Sequence, residues 1–438
     1  MIRSFIIVAA LLYNVAAQAL PQIESWKTGK GAKVLFVAAH ELPMVDVRVV
    51  FDAGSARDAD KPGLASLTNA MLDQGAAGLD ADAIATGFEE RGAQVGNSSD
   101  RDTAWLSLRS LSDKKLLEPS LALFSKVLLK PDFPQADFER LQQNTLTGLE
   151  YQKQKPESIV DKAFYRAIYG EHPYAADTSG TEDSVAALKV KDLKAFYRRY
   201  YVAANATLVI VGDVSRQQAE SIAAKLTDTL PKGEKAEPLP PVTAQNVGKT
   251  LLTAHPSSQS HILMGMPGVY RGDPDYFTLY VGNHVLGGSG LVSRISEEIR
   301  EKRGLAYSAY SYFIPLKRKG PYTLGFQTRN DQRDEALSVL RDTVKSFVKD
   351  GPTDKELKAS KDNIIGGFPL RVASNSKITE YLAMIGFYDL PLDYLSTFTD
   401  NIKAVTAEQI RDAYQRRVNV DDMVTVIVGS EVLTDKGS

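Results

Sequence analysis

The 438-residue chain contains no cysteine. Disulfides, thiolate zinc sites and thiolate nucleophiles are therefore excluded, and stability has to come from burial. An excess of one charge is missing as well: 52 Lys and Arg stand against 54 Asp and Glu, a formal net charge of −2. A nucleic-acid surface needs a basic stripe, and membrane-surface binding a polybasic block; neither is present. Histidine is scarce, with only His40, His172, His255, His261 and His284. None belongs to an H-x-x-E-H or H-E-x-x-H motif, and the six-residue step from His255 to His261 is no common ligand spacing. Beyond the first residues, no segment approaches the 18 or so apolar residues of a membrane-spanning helix.

What is present begins with an export signal. Arg3 supplies the positive start, Phe5 to Ala17 the apolar stretch, and Ala17-Gln18-Ala19 a small-x-small cleavage site. The stretch is short and interrupted by Asn14; the alternative reading is an uncleaved anchor. Residues 1–19 are thus expected to direct the chain to a bacterial periplasm.

An internal repeat organises the remainder. Phe196-Tyr197-Arg198-Arg199 precedes Thr207-Leu208-Val209-Ile210-Val211-Gly212, and Ala413-Tyr414-Gln415-Arg416 precedes Val424-Thr425-Val426-Ile427-Val428-Gly429. Tyr197 to Tyr414 is 217 residues, and so is Gly212 to Gly429. Each copy reads as a helix end followed by a buried β-branched strand that stops at glycine. The stretch Val45–Phe51 alternates like a half-buried strand, and the same offset reaches the strand-like Ile262–Met266. Four prolines and little periodicity mark 231–247 as a linker. The division is then 20–230, 231–247 and 248–438. In the first repeat, strands are expected near 33–38, 45–53 and 103–110. Helices are expected at 63–74, 80–91, 114–128, 135–152, 157–169 and 190–200. The fold class is α+β: two homologous repeats, each a mostly antiparallel sheet with helices packed on one side.

Two segments carry a resemblance. Ala53-Gly54-Ser55-Ala56-Arg57-Asp58 followed by Gly63-Leu64-Ala65 is similar to the approach to the catalytic helix in pitrilysin/insulinase-type zinc peptidases. Leu286-Gly287-Gly288-Ser289-Gly290, followed by Glu298-Ile299-Arg300-Glu301 and Gly304-Leu305-Ala306-Tyr307, resembles that family's Gly-rich turn, helix and Arg/Tyr pair seven apart. In catalytic relatives H-x-x-E-H places two zinc ligands on one helix face with a general-base glutamate beside them. The resemblance puts Ser66, Asn69 and Ala70 at those positions. A third ligand, a glutamate on a later helix, falls at Gly148, with Glu150 out of register. None of these residues can do the corresponding work: serine and asparagine are poor zinc ligands, and alanine and glycine have no ligand atom. The segment Gly92-Ala93-Gln94-Val95-Gly96-Asn97 also departs from the family's G-x-x-N-A.

In two-chain members such as mitochondrial processing peptidase, one chain brings the zinc helix and the other lacks it. The resemblance therefore implies a non-catalytic, substrate-binding subunit of a heterodimeric zinc endopeptidase, inactive alone. No cofactor is expected in this chain, with zinc in an H-x-x-E-H partner and an extended or unfolded peptide as substrate. Arg300 and Tyr307 would serve in trans, because a guanidinium fork and a phenol suit a scissile carbonyl and its oxyanion. Gly304 is a natural helix stop, which puts Arg300 in the last helical turn and Tyr307 on the strand that follows; residue by residue, the alternatives are a solvated Arg300 at a helix end and an ordinary strand tyrosine at 307. For the whole chain the alternative is a scaffold protein derived from a peptidase.

Overall fold

The structure is a computed structural model that describes residues 22–430. The signal assigned to residues 1–19 lies outside the described residues. Strands β1 (Glu24–Lys27), β2 (Lys33–Ala38), β3 (Met44–Phe51), β4 (Gly75–Ala76), β5 (Leu79–Asp80), β6 (Gln94–Ser99), β7 (Ala104–Leu111) and β8 (Ala206–Gly212) come from the first part of the chain. Strands β4 and β5 form a small hairpin; the others form a six-stranded sheet in the order β1-β2-β8-β3-β7-β6. The second sheet is built from β9 (Thr250–Ala254), β10 (Gln259–Pro267), β11 (Ala309–Phe313), β12 (Pro321–Arg329) and β13 (Val424–Gly429), in the order β11-β12-β10-β13-β9. The run β2-β8-β3-β7-β6 therefore has the same topology as β9-β13-β10-β12-β11. In each sheet one pair is parallel, β2 with β8 and β9 with β13, and every other pairing is antiparallel. The chain is an α+β fold of two repeats, as the sequence indicates.

The glycines that end the two matching strands have a steric cause. Gly212 has φ of +144°, and a Cβ there would stand 2.2 Å from the Met44 carbonyl oxygen. A Cβ on Gly429 would stand 2.6 Å from Ser260 Oγ. In both repeats the last strand leaves the sheet against a neighbour too close for any side chain.

Each sheet is covered on its second face by the other repeat. In the first sheet Val34, Phe36, Val47, Val49, Leu208 and Ile210 pack with their own repeat's helices. The residues between them, Leu35, Val37, Val50, Val209 and Val211, join the core that contains helix Asn375–Phe387. Reciprocally, helix Pro156–Tyr169 sends Phe164 and Ile168 against Leu263, Val424, Val426 and Val428 of the second sheet. This exchange explains why β2 and β8 read as unbroken apolar runs: both of their faces are buried. Each such aliphatic side chain contributes about 1.5–3 kcal/mol by burial. The fit is close. A Cβ on Gly386 would lie 2.5 Å from Thr207 Cγ2, and Lys33 Nζ donates to the Gly386 carbonyl at 2.7 Å.

Segment 231–247 has no helix or strand but is held down along its length. The Arg57 guanidinium donates to the Glu237 carbonyl at 2.6 Å, Arg318 Nε to that of Leu239 at 2.6 Å, and Leu239 is buried. The strap thus ties to both repeats. No helix among the described residues is long and apolar enough to cross a membrane.

The loop before helix Leu64–Ala70 is fixed by Asp58, which is 3% exposed and accepts hydrogen bonds from the Gly63 and Ala65 amides at 2.8 Å each. Burial pushes this carboxyl up to about 7, although the amides pull the other way. A carboxyl that protonates more easily folded than unfolded makes the folded state the stronger proton binder between about pH 3.8 and 7. Its contribution to stability is therefore greatest at the acid end of that window and declines as pH rises to 7. Asp58→Asn removes the titration, so the difference in melting temperature between wild type and variant should change across pH 4–7 and level off above it. A difference that stays constant over the window would contradict this account.

Candidate functional site

Helix Leu64–Ala70 carries the three positions where catalytic relatives place H-x-x-E-H, and each is filled by something else. Asn69 is 2% exposed; its Nδ2 donates to the Tyr201 hydroxyl at 3.2 Å and the Trp105 carbonyl at 3.3 Å. The amide is a packing link between helix and sheet. Ser66 and Ala70 are half-buried on the same short helix. Gly148 lies in helix Gln135–Gln152, exposed, with no atom within 4 Å of where a Cβ would be. Glu150 is exposed and accepts from Lys153 Nζ at 3.3 Å. This donor set does not fit a zinc ion. Nor does any other group of three or more His, Asp or Glu among the described residues.

Three of the five histidines are held by local structure. His172 takes the Tyr174 amide on Nδ1 at 3.1 Å and meets the Pro240 carbonyl through Nε2 at 3.1 Å. His40 pairs with Asp213 at 2.7 Å near the surface. His284 bridges two residues of helix Asp354–Arg371, with Ser360 Oγ at 2.8 Å from Nδ1 and Asn363 Oδ1 at 3.2 Å from Nε2. Burial, chiefly, pushes the His284 imidazole below its usual range.

Arg300 and Tyr307 come together. Arg300 sits in the π-helical turn Glu297–Glu301, which ends as Gly304 takes φ of +63°. Its guanidinium lies 4.8 Å from the centroid of the Tyr307 ring, and its carboxylate neighbour is Glu301, at 3.4 Å. Such stacking orients both groups while leaving the guanidinium edge open to a ligand. Tyr307 is 78% exposed. It does not lie on the following strand, as the sequence suggested: it occupies a bend two residues before β11. Leu305 and Ala306 turn inward, Thr328 Oγ1 donates to the Leu305 carbonyl at 2.5 Å, and pairing with β12 begins only at Ala309. That turn is what throws the phenol outward. A second π-helical segment, His284–Gly288, precedes the Gly290–Val292 turn, where Leu291 and Val292 are exposed. Helix segments of this kind recur at functional sites. Gly287 is required there, because a Cβ would meet Ser311 Oγ at 2.3 Å.

Sequence reasoning missed two features. One is a buried polar knot between the repeats. Asp102, 2% exposed, accepts from the Tyr174 hydroxyl at 2.6 Å, the Tyr388 hydroxyl at 2.9 Å and the Lys317 amide at 2.7 Å. Burial raises its carboxyl, and these three donors oppose the shift. Beside it, Asp52 pairs with Arg57 at 2.7 Å and with Lys317. The other feature is a cavity of about 440 Å³ beneath the Gly-rich turn, with Tyr276, Leu279, Tyr280 and Phe313 among its walls. Its sequence signal was the four-residue step from Tyr276 to Tyr280, which puts both rings on one helix face.

Comparison with known proteins follows the same lines. Residues 33–182 match the family model described as Insulinase (Peptidase family M16), and residues 187–364 match one described as Peptidase M16 inactive domain. The chain is similar to the non-peptidase homolog YmxG of Helicobacter pylori, with 24% identity over 403 residues, 91% of this chain and 92% of that protein. A crystal structure of a peptidase M16 inactive domain from Pseudomonas fluorescens superposes with a TM-score of 0.91 at 42% identity, covering 94% of this chain and 98% of that one. The periplasmic protease PqqL of Escherichia coli shares the fold, with a TM-score of 0.78 at 17% identity; 94% of this chain aligns with 46% of that one.

Proposed function

Because the chain belongs to the insulinase family of peptidases, M16, and has no metal ligand at any of that family's catalytic positions, we propose that it is the non-catalytic, substrate-binding subunit of a periplasmic heterodimeric zinc endopeptidase. The observation that carries the reading is the contrast between the two repeats. Ser66, Asn69, Ala70 and Gly148 have lost the metal chemistry together, whereas Arg300 and Tyr307 remain stacked and accessible. The likeness to a non-peptidase homolog and to an inactive M16 domain supports the first half of that contrast.

In this role the partner contributes an H-x-x-E-H helix and the chemistry at its zinc. Arg300 holds the peptide near the scissile bond, and Tyr307 donates a hydrogen bond to the oxyanion that forms there. The substrate is an extended or unfolded peptide, and residues 1–19 send the chain to the periplasm.

The test is co-expression with an M16 homologue that carries H-x-x-E-H. A one-to-one complex with peptidase activity is expected, its interface above roughly 2,000 Å². The chain alone should be inactive and free of stoichiometric zinc. Recovery of monomer or self-dimer only, beside the catalytic homologue, contradicts the proposal, as does about one tightly held zinc per isolated chain.

A further inference from the structure

The cavity beneath the Gly-rich turn has a chemistry that the Arg300/Tyr307 pair does not use. Its walls mix aromatic and aliphatic side chains with the polar Asn283, His284, Ser289 and Asn363, and its volume of about 440 Å³ falls in the range of sites that enclose small ligands. No Asp or Glu lines it. Arg371, the last residue of helix Asp354–Arg371, also lines it; its hydrogen-bond partners are the Tyr280 and Tyr381 hydroxyls rather than a carboxylate. An exposed guanidinium without an acid partner, at the edge of an aromatic cavity, is complementary to an anion attached to an apolar group.

The neighbouring groups sharpen the specification. With the His284 imidazole neutral, one consistent arrangement has Ser360 donating to Nδ1 and Nε2–H donating to Asn363 Oδ1. The Asn363 amide then presents its NH2 group, a donor, so the polar lining again suits an acceptor-rich ligand. One cavity wall belongs to β11, which carries Tyr312 and Phe313 and is the edge strand of the second sheet. An edge strand offers unpaired backbone groups to an extended chain.

We infer that this cavity receives the C-terminal residue of an extended peptide, with a large apolar or aromatic side chain among the tyrosines and the free α-carboxylate on Arg371. The peptide runs along β11 and ends here. The inference deepens the substrate-binding role proposed above. It is measured on this chain alone, so failure of partner assembly and failure of peptide capture are separable.

The experiment is fluorescence anisotropy of the full mature chain with a labelled pentapeptide ending in phenylalanine, as the free acid and as the C-terminal amide. The acid should bind at least about tenfold more tightly than the amide, the value of a charge-assisted contact. Arg371→Gln should erase that difference, and Arg371→Lys, which keeps the charge, should restore part of it. Replacing the terminal phenylalanine by glycine should weaken the acid form. Equal binding of acid and amide, binding of neither, or a preference for the acid that survives Arg371→Gln would each overturn the inference. Circular dichroism of the variants separates loss of the site from loss of the fold.

Discussion

Tyr307→Phe should lower turnover of the reconstituted pair by about 10²–10³ while leaving assembly intact. The substitution removes one hydroxyl and keeps the ring. The stacking of Arg300 on that ring, at 4.8 Å, therefore survives, and the positioning of the guanidinium is unchanged. Tyr307 is 78% exposed, so the missing oxygen leaves no buried group unsatisfied and stability should not move. Arg300→Ala removes charge and clamp together and should also raise the Michaelis constant. The measurement is peptidase activity with dimer formation followed in parallel. If both variants assemble and retain full activity, the chain is a scaffold rather than part of the active site.

Asp102→Ala should cost about 3–5 kcal/mol, read as a fall of several degrees in melting temperature and faster proteolysis. The carboxylate gathers three donors from distant parts of the chain, and removing it leaves a buried phenol, a half-buried phenol and a half-buried backbone amide without their acceptor. Asp102→Asn keeps one acceptor oxygen and sets an NH2 group against the remaining donors, so an intermediate loss is expected. A melting temperature within a degree of wild type for the alanine variant would show that the knot holds nothing together.

The repeat was legible because its marks are local. A β-branched strand ending at a glycine is dictated by contacts such as Gly212 with Met44, and both copies carry it. The loss of H-x-x-E-H at Ser66, Asn69 and Ala70 was legible because it is a matter of residue type alone. What stayed hidden was set by residues far apart in the chain. The Lys33–Ala38 run announces that both faces of β2 are buried but not that helix Asn375–Phe387 covers one of them. The partners of Asp102 lie 72, 215 and 286 residues away. Strand β6, Gln94–Ser99, has glycine, asparagine and two serines, so its pairing with β7 follows from context rather than propensity. Tyr307 was placed on a strand because nothing in Leu305-Ala306 signals the inward turn that Thr328 secures.

The crossing of helices between the repeats also sets a schedule for the newborn chain. Residue 387 follows residue 212 by 175 residues, so at about 5–20 residues per second the first sheet is complete roughly 9–35 s before its second cover is synthesised. Through that interval Leu35, Val37, Val209 and Val211 have only solvent or a substitute to face, and the N-terminal repeat remains an adhesive, unfinished surface. Its natural remedy is the second repeat of the same molecule; in a crowded cell, the second repeat of a neighbouring chain is the competitor.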